Sequence, residues 1–264
     1  MAWAARRAGI EKVTAFAHDH RDAFRAAKAG AISEIARDPE SVVRASSLVV
    51  IAGTGSEIAA VLDVIAAAVR KRGVIATDLA SPKRVAARAA ERLELAEHFA
   101  GSAPVVSPGA EDMGGASPEL LRDAIVYVTP LPDGDRAAAE VADFWHRVIG
   151  AHPVMIDAER YDAQVAWTTQ LPQVVVSALA VALGQYGPSG VTHRPSTLDT
   201  TRLAVGDTER LAAVLLENRD HVCATLEAFG SAVASVRRAL SHGDTAAVAA
   251  WIEAGAEWRR RFDR

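Results

Sequence analysis

Three short stretches carry side chains with chemistry to offer: a serine beside a lysine at the end of an apolar run, an arginine opening a late helix, and a proline set inside a helical pattern. Asp78-Leu79-Ala80-Ser81-Pro82-Lys83 ends a strand and begins a helix, which is where open α/β sheets place their ligands, so Ser81 offers a hydroxyl at a cleft mouth. A plain cap explains Ser81-Pro82 equally well, with proline at the first helical position. Thr200-Thr201-Arg202 puts a guanidinium at a helix start. A helix N-terminus gains nothing from a cation, so Arg202 is read as turned outward to hold a carboxylate. Leu171-Pro172 removes a backbone hydrogen bond from a helix and predicts a kink there, which makes Trp167 to Gln173 a candidate pocket wall.

Two further stretches have the composition of a nucleotide site. The strand-like run Val13 to Ala17 leads into His18-Asp19-His20-Arg21, the place where a dinucleotide fold reads the ribose. Aligned on the turn, the carboxylate that would accept the ribose hydroxyls of NAD falls on Ala17. A small residue followed by His18 and Arg21 suits the extra phosphate of NADP, and Asp19 serves NAD if the turn is shifted by two. A solvated turn with an N-cap is the plain alternative. Gly53-Thr54-Gly55 lacks a third glycine, and a strand end with Ser56 as N-cap competes with a displaced phosphate loop. His18 and His20 have no third ligand nearby, so no metal is expected.

The elements that must position these residues follow from periodicity. From Lys12 to Pro130 short apolar runs alternate with alanine-rich helical stretches, the pattern of a parallel sheet covered by helices. Strands are expected at Val13 to Ala17, Leu48 to Gly53, Val74 to Asp78, Phe99 to Val106, Ala124 to Thr129 and Val154 to Ile156. Helices are expected near Ala23 to Ala29, Glu57 to Arg72, Lys83 to Leu95, Pro118 to Leu121 and Asp135 to Ile149. After Asp157 only helical periodicity remains, in Asp162 to Tyr186, Thr208 to Leu240 and Thr245 to Arg261. The boundary therefore falls between 1–157 and 158–264. The long apolar helix through Leu211, Leu215, Val222, Phe229 and Val236 calls for a partner subunit.

Composition narrows the class. Across 264 residues, 29 Lys plus Arg against 33 Asp plus Glu give a net charge of -4, with no basic excess for nucleic acid. Charges are expected to interrupt every apolar stretch before it reaches the roughly 20 residues of a membrane span, so no membrane is expected. Cys223 is the only cysteine, which fits a reducing, cytoplasmic setting. Met1 to Ala8 reads as the end of a helix with Gly9 as its C-cap, so the first strand, its glycine loop and most of the first helix are expected to lie upstream.

In order and spacing these motifs resemble the prephenate and arogenate dehydrogenase family of tyrosine biosynthesis. Asp78 to Lys83 is similar to the family's Asp-Val-Gly-Ser-x-Lys, and Phe99-Ala100-Gly101-Ser102-Ala103-Pro104 to its Phe-x-Gly-x-His-Pro. Ile149-Gly150-Ala151 through Tyr161-Asp162 resembles its Leu-Gly-Ala…His-Asp stretch. Trp167 to Gln173 resembles its Ser-His-Leu-Pro-His helix, Asp199 to Ala204 its Asp-x-Thr-Arg-Ile-Ala, and Leu215 to Arg219 its dimer helix.

The resemblance implies an α/β fold: a Rossmann-type parallel sheet, here lacking its first strand and glycine loop, followed by an all-α dimerisation domain in a homodimer. It implies hydride transfer from the hydroxyl-bearing ring carbon of prephenate or arogenate to NAD or NADP as carbon dioxide leaves. A histidine takes or polarises the hydroxyl proton, a serine supports it and an arginine holds a carboxylate. Carried over, Ser81 and Gln170 fall at catalytic positions and Arg202, Gln173 and Lys83 at substrate-binding positions, while His18, Asp19, Arg21, Gly53 and Thr54 are the cofactor candidates by their places after the strands.

The histidine of the His-Pro motif is Ala103, and both histidines of the kinked helix are Gln170 and Gln173, which hydrogen-bond but do not ionise. His98 and, better placed, His193 are substitutes to consider, while His146, His152, His221 and His242 are assigned to helix faces or turns. Two other functions stand beside the dehydrogenase: a catalytically inactive dimeric homologue that binds a carboxylate ligand, and a dehydrogenase of a different hydroxy acid.

Overall fold

The computed structural model describes residues 1–106, 116–187 and 194–262. His193, considered above as a substitute base, lies outside them. The chain forms two compact units, Met1–Val165 with Gly206–Asn218, and Ala166–Val205 with Arg219–Arg264.

The first unit is built by βα alternation. In order it contains α1 (Ala2–Arg7), β1 (Thr14–Ala15), α2 (His20–Lys28), β2 (Glu34–Ile35), α3 (Pro39–Ala45), β3 (Leu48–Ile51), α4 (Gly55–Arg72), β4 (Ile75–Asp78), α5 (Arg84–Arg92), β5 (Ala100–Pro104), β6 (Ile125–Pro130), α6 (Asp135–Asp143), β7 (His152–Met155) and α7 (Ala158–Val165). β1 pairs with β2 and β3 with β4, both parallel, and the two pairs share no ladder. A parallel bridge from Ala76 to Phe99 leads on to β5, β6 and β7.

One pairing departs from the all-parallel expectation. β5 and β6 run antiparallel, with Ala103 opposite Tyr127, and β7 then joins β6 in parallel. Pro118 to Leu121 forms turns rather than the expected helix. Four residues opening on a proline are too few to repay helix nucleation unless packing does so. β2 and α3 carry no expectation from the sequence, because a two-residue strand has no readable alternation.

Helices cover both faces of the sheet, as a parallel sheet requires. On β4 the neighbours Ile75 and Ala76 enter different cores, since successive strand side chains point to opposite faces. Ala76 packs with Val43, Ile58, Leu62, Ile65 and Val69 under α3 and α4. Ile75 packs with Val126, Val128, Val141, Trp145 and Ile149, and α1 adds Ala4 and Ala5 to that side.

In the second unit, a π-helical turn (Ala166–Gln170) precedes α8 (Leu171–Tyr186), placing Pro172 in the first turn of α8. In the first turn of a helix a proline costs no hydrogen bond within that helix. α9 (Pro195–Thr200) and a 3₁₀ turn (Arg202–Ala204) follow. α10 (Thr208–Glu217) belongs to the first unit, and α11 (Arg219–Ser241) and α12 (Thr245–Arg260) complete the second.

Two expectations are corrected here. The helix expected through Thr208 to Leu240 breaks at Asn218. Asn218 is fully buried, donates from Nδ2 to the Asp162 carbonyl at 2.9 Å and accepts from Arg84 at 2.9 Å, bonds that hold it out of the helix. No Asp, Glu, Lys or Arg occurs between Asp162 and Arg194, so charge does not interrupt every apolar stretch. The helical run Ala158–Tyr186 is by length and composition apolar enough to cross a membrane, with a mean hydropathy of 1.3 in its best window.

Asp162 on α7 is tied to Lys83 and Arg84, and Glu217 on α10 to Gly55 and Ser56, so both helices belong to the first unit.

Candidate functional site

Asp78, at the C-terminal end of β4, organises the segment that carries Ser81. Its carboxylate accepts from the Ala80 amide at 3.0 Å and from the Lys83 ammonium at 3.0 and 2.9 Å. Lys83 also donates to the Ser102 carbonyl on β5, and its side chain is 1% exposed. Burial pulls its ammonium below the ordinary lysine range, while the charge and hydrogen bonds of Asp78 oppose the shift. The expected substrate contact of Lys83 is therefore corrected: its three donors face protein oxygens, and it locks the β4 and β5 ends together.

Gly101 permits this approach. A Cβ there would lie 2.3 Å from Thr129 Oγ1, 3.0 Å from Asp78 Oδ1 and 3.1 Å from Lys83 Cδ. Ser102 is drawn in as well, donating to the Asp78 carbonyl at 2.8 Å and accepting from Thr77 at 3.0 Å.

The capping explanation of Ser81-Pro82 is also corrected, because α5 begins only at Arg84. Its first amides are capped by Asp162. Oδ1 accepts from the Lys83 amide at 2.6 Å, and Oδ2 accepts from the Arg84 amide at 3.1 Å and from Arg84 Nε at 3.0 Å. Burial pushes the Asp162 carboxyl above its usual range, and the amides and guanidinium pull it back. With its ends fixed by Asp78 and Asp162, the half-buried Ser81 accepts a hydrogen bond from Tyr161 Oη at 3.2 Å.

Tyr161 and Val165 pack with Ala103, joined by Tyr127 and Ile156. The Tyr127 and Tyr161 rings lie 5.5 Å apart, and Gln164 donates to Tyr127 Oη at 2.8 Å. Ser81, Ala103, Tyr127 and Tyr161 thus form one constellation at the strand ends.

The nucleotide candidates divide. At the end of β1, Asp19 caps α2 by accepting from the Arg21 amide at 2.8 Å, and the Arg21 guanidinium folds back on the same carboxylate at 2.9 to 3.2 Å. Arg21 is 87% exposed, and the exposed His18 meets Phe16 edge-on. Beside this turn lies an open cleft lined by His20, Arg21, Phe24, Arg25 and Ile35.

Gly53 and Thr54 behave otherwise, because every amide a phosphate would use there is taken. Thr54 N–H donates to Glu57 at 2.7 Å and Glu57 N–H to Thr54 Oγ1 at 3.3 Å, closing a capping box. The Gly55 and Ser56 amides donate to the Glu217 carboxylate at 3.0 and 2.8 Å. The cap of α4 is therefore Thr54 rather than Ser56. Glu217 occupies the anion position of a displaced phosphate loop, which excludes Gly53 and Thr54 as a phosphate cradle in this conformation.

In the second unit Gln170 is buried at the end of the π turn. Gln173 donates to the Leu203 carbonyl at 2.7 Å, so it holds the 3₁₀ turn whose first residue is Arg202. Arg202 is exposed, and among the described residues it makes no ion pair.

Sequence reasoning missed Asp162 and Glu217 as caps and Tyr161 as the partner of Ser81. Each lies 78 or more residues from the group it serves, and a local pattern shows none of them.

The comparisons with known proteins divide the chain near residue 156. Residues 1–155 match the family model described as prephenate dehydrogenase, nucleotide-binding domain, and residues 157–254 match prephenate dehydrogenase, dimerization domain. A curated relative, cyclohexadienyl dehydrogenase of Zymomonas mobilis, is 30% identical over 130 residues, and the match spans 44% of each chain. Among solved structures, prephenate dehydrogenase from A. aeolicus in complex with hydroxyphenyl propionate and NAD+ superposes with a TM-score of 0.88 at 19% identity, covering 99% of this chain and 93% of that one. Synechocystis arogenate dehydrogenase superposes with a TM-score of 0.79 at 18% identity, covering 99% and 94%.

Proposed function

Since the chain belongs to the prephenate dehydrogenase family, we propose that it oxidatively decarboxylates prephenate or arogenate with NAD or NADP. The observation that carries this reading is the pair of family models met in order across 1–155 and 157–254, together with the retained Ser81 and Arg202. Ser81 hydrogen-bonds the ring hydroxyl, and the exposed guanidinium of Arg202 holds a substrate carboxylate. Gln170 supplies a neutral hydrogen bond at the reacting end, and Gln173 serves by fixing the turn of Arg202.

The nicotinamide cofactor supplies the hydride acceptor. Residues that fit its adenosine end are those after β1: the exposed aromatic Phe24, Arg21 and Arg25 line one cleft, which suits a purine and the extra phosphate of NADP. His18 and Asp19 flank it in the same turn. Gly53 and Thr54 offer the cofactor a surface to lie against and no amides.

The protein acts as a homodimer in a reducing, cytoplasmic setting. Leu179 and Val181 on α8, Phe229 and Val233 on α11 and Trp251, Ile252 and Trp258 on α12 are exposed apolar side chains that a second subunit would cover. Such cover, rather than lipid, is the proposed role of the apolar run Ala158–Tyr186. Chromatography with light scattering tests it. A dimer is expected, and a monomer at micromolar concentration would refute it.

Steady-state assays of the purified chain with each substrate and each cofactor test the activity. Reduced nicotinamide with at least one pair is expected. No reduction with any pair, alongside calorimetric binding of prephenate, would favour the inactive carboxylate-binding homologue.

A further inference from the structure

We propose that Tyr161 is the positioning residue of Ser81, its phenol standing in for an imidazole that position 103 does not provide. The inference rests on the dehydrogenase reading above. It deepens that reading by naming what fixes the serine.

Three observations converge on Tyr161. Its hydroxyl donates to Ser81 Oγ at 3.2 Å, so one lone pair of the serine is filled and the serine's own hydrogen is turned elsewhere. Its ring packs on Ala103, whose side chain is nearly buried, so the volume a larger residue at 103 would need is already filled by tyrosine. Tyr127, opposite Ala103 in the β5–β6 register and held by Gln164, meets the same ring at 5.5 Å. The ring is thereby held against two neighbouring side chains of one sheet face, which is what a positioning group needs.

The phenol remains a donor through the working pH range. Burial pushes it up to about 12; the hydrogen bond with Ser81 opposes the shift, and the carboxylates of Asp162 and Asp78 and the neighbouring Tyr127 add smaller effects in the same direction as burial. Tyr161 therefore gives Ser81 a hydrogen bond and takes no proton from it. The substrate hydroxyl would meet a serine oriented by a neutral partner, where an imidazole would bring a charge that changes near neutrality.

The test is a double-mutant cycle on the full-length protein with Tyr161→Phe, Ser81→Ala and both, read as kcat and KM separately. Phenylalanine keeps the ring against Ala103 and Tyr127 and removes only the hydroxyl. The expected result is a loss of about 3- to 10-fold in kcat for Y161F with KM little changed, and no further loss when Y161F is added to S81A.

Turnover by the wild type with an unchanged Y161F overturns the inference and leaves the dehydrogenase reading standing. So does a loss in Y161F that persists undiminished on the S81A background, which would make it merely structural. Absence of turnover in the wild type refutes the reading itself, and the inference with it. Should Y161F not fold, Tyr161→His carries the comparison with a ring donor for Ser81: kcat kept within about 3-fold supports the inference, and a larger loss with a native melt overturns it.

Discussion

Asp162→Asn should lower stability by about 2–4 kcal/mol, because a carboxylate with two accepting oxygens becomes an amide with one. In the native protein Oδ1 accepts from the Lys83 amide at 2.6 Å, and Oδ2 accepts from the Arg84 amide at 3.1 Å and Nε at 3.0 Å. Whichever way the amide is turned, its NH₂ faces donors. Either Lys83 loses its partner or Arg84 loses two, and each buried donor left unmet costs about 1–3 kcal/mol. Breaking one side of a buried ion pair costs about 3–5 kcal/mol. Arg84 keeps Glu159 at 3.2 Å and Asn218 at 2.9 Å, and its side chain is 11% exposed, which places the estimate toward the lower part of that range.

For a chain of this size about 1 kcal/mol moves the melting temperature by about 2–4 °C, so a fall of roughly 4–16 °C is expected by circular dichroism near neutral pH. Glu159→Gln, which removes a half-solvated partner of the same arginine, should cost under about 1 kcal/mol. A D162N protein within about 1 kcal/mol of the wild type would refute the view that Asp162 holds the Ser81 segment.

Arg202→Lys should raise KM for the substrate by about tenfold or more with kcat little affected, since a point charge replaces a planar fork in ground-state binding. Gly101→Ala should lower the urea midpoint by an amount equivalent to about 1–3 kcal/mol, as its methyl would lie 2.3 Å from Thr129 Oγ1 inside the Asp78–Lys83 lock. Tyr161 ionises at about 12 when folded against an ordinary value of 10.0. A raised folded value leaves stability whole below about pH 10 and removes it as pH climbs toward about 12, by up to about 3 kcal/mol. The alkaline loss of stability should therefore be smaller in Y161F than in the wild type, measured as melting temperature against pH.

The βα alternation and the helical second half were legible because they rest on local pattern: Leu48 to Ile51 is an apolar run, Val74 to Ala76 another that ends at Thr77-Asp78, and α4 carries its capping box in four adjacent residues. The strand order β5-β6-β7 was not legible, since an apolar strand reads the same in either direction. Nor was the break at Asn218, where helical periodicity continues on both sides and a buried bond to Asp162 wins. Ser81 and Arg202 could be singled out as candidates by their places at element ends. Lys83 could not be told from a substrate ligand, because its burial depends on Asp78, Gly101 and Ser102 meeting in space. Gly53-Thr54-Gly55 misled for the same reason, as the carboxylate that fills its amides comes from Glu217, 162 residues beyond Gly55.

Carbon dioxide released per reduced nicotinamide formed, measured in one reaction with the purified chain and prephenate or arogenate, is the most direct measurement. A ratio of one to one, kept while both products fall together at subsaturating substrate when Arg202 is replaced, is the predicted result. Reduced nicotinamide without carbon dioxide, or neither product from a folded protein that binds both ligands, would contradict oxidative decarboxylation as its function.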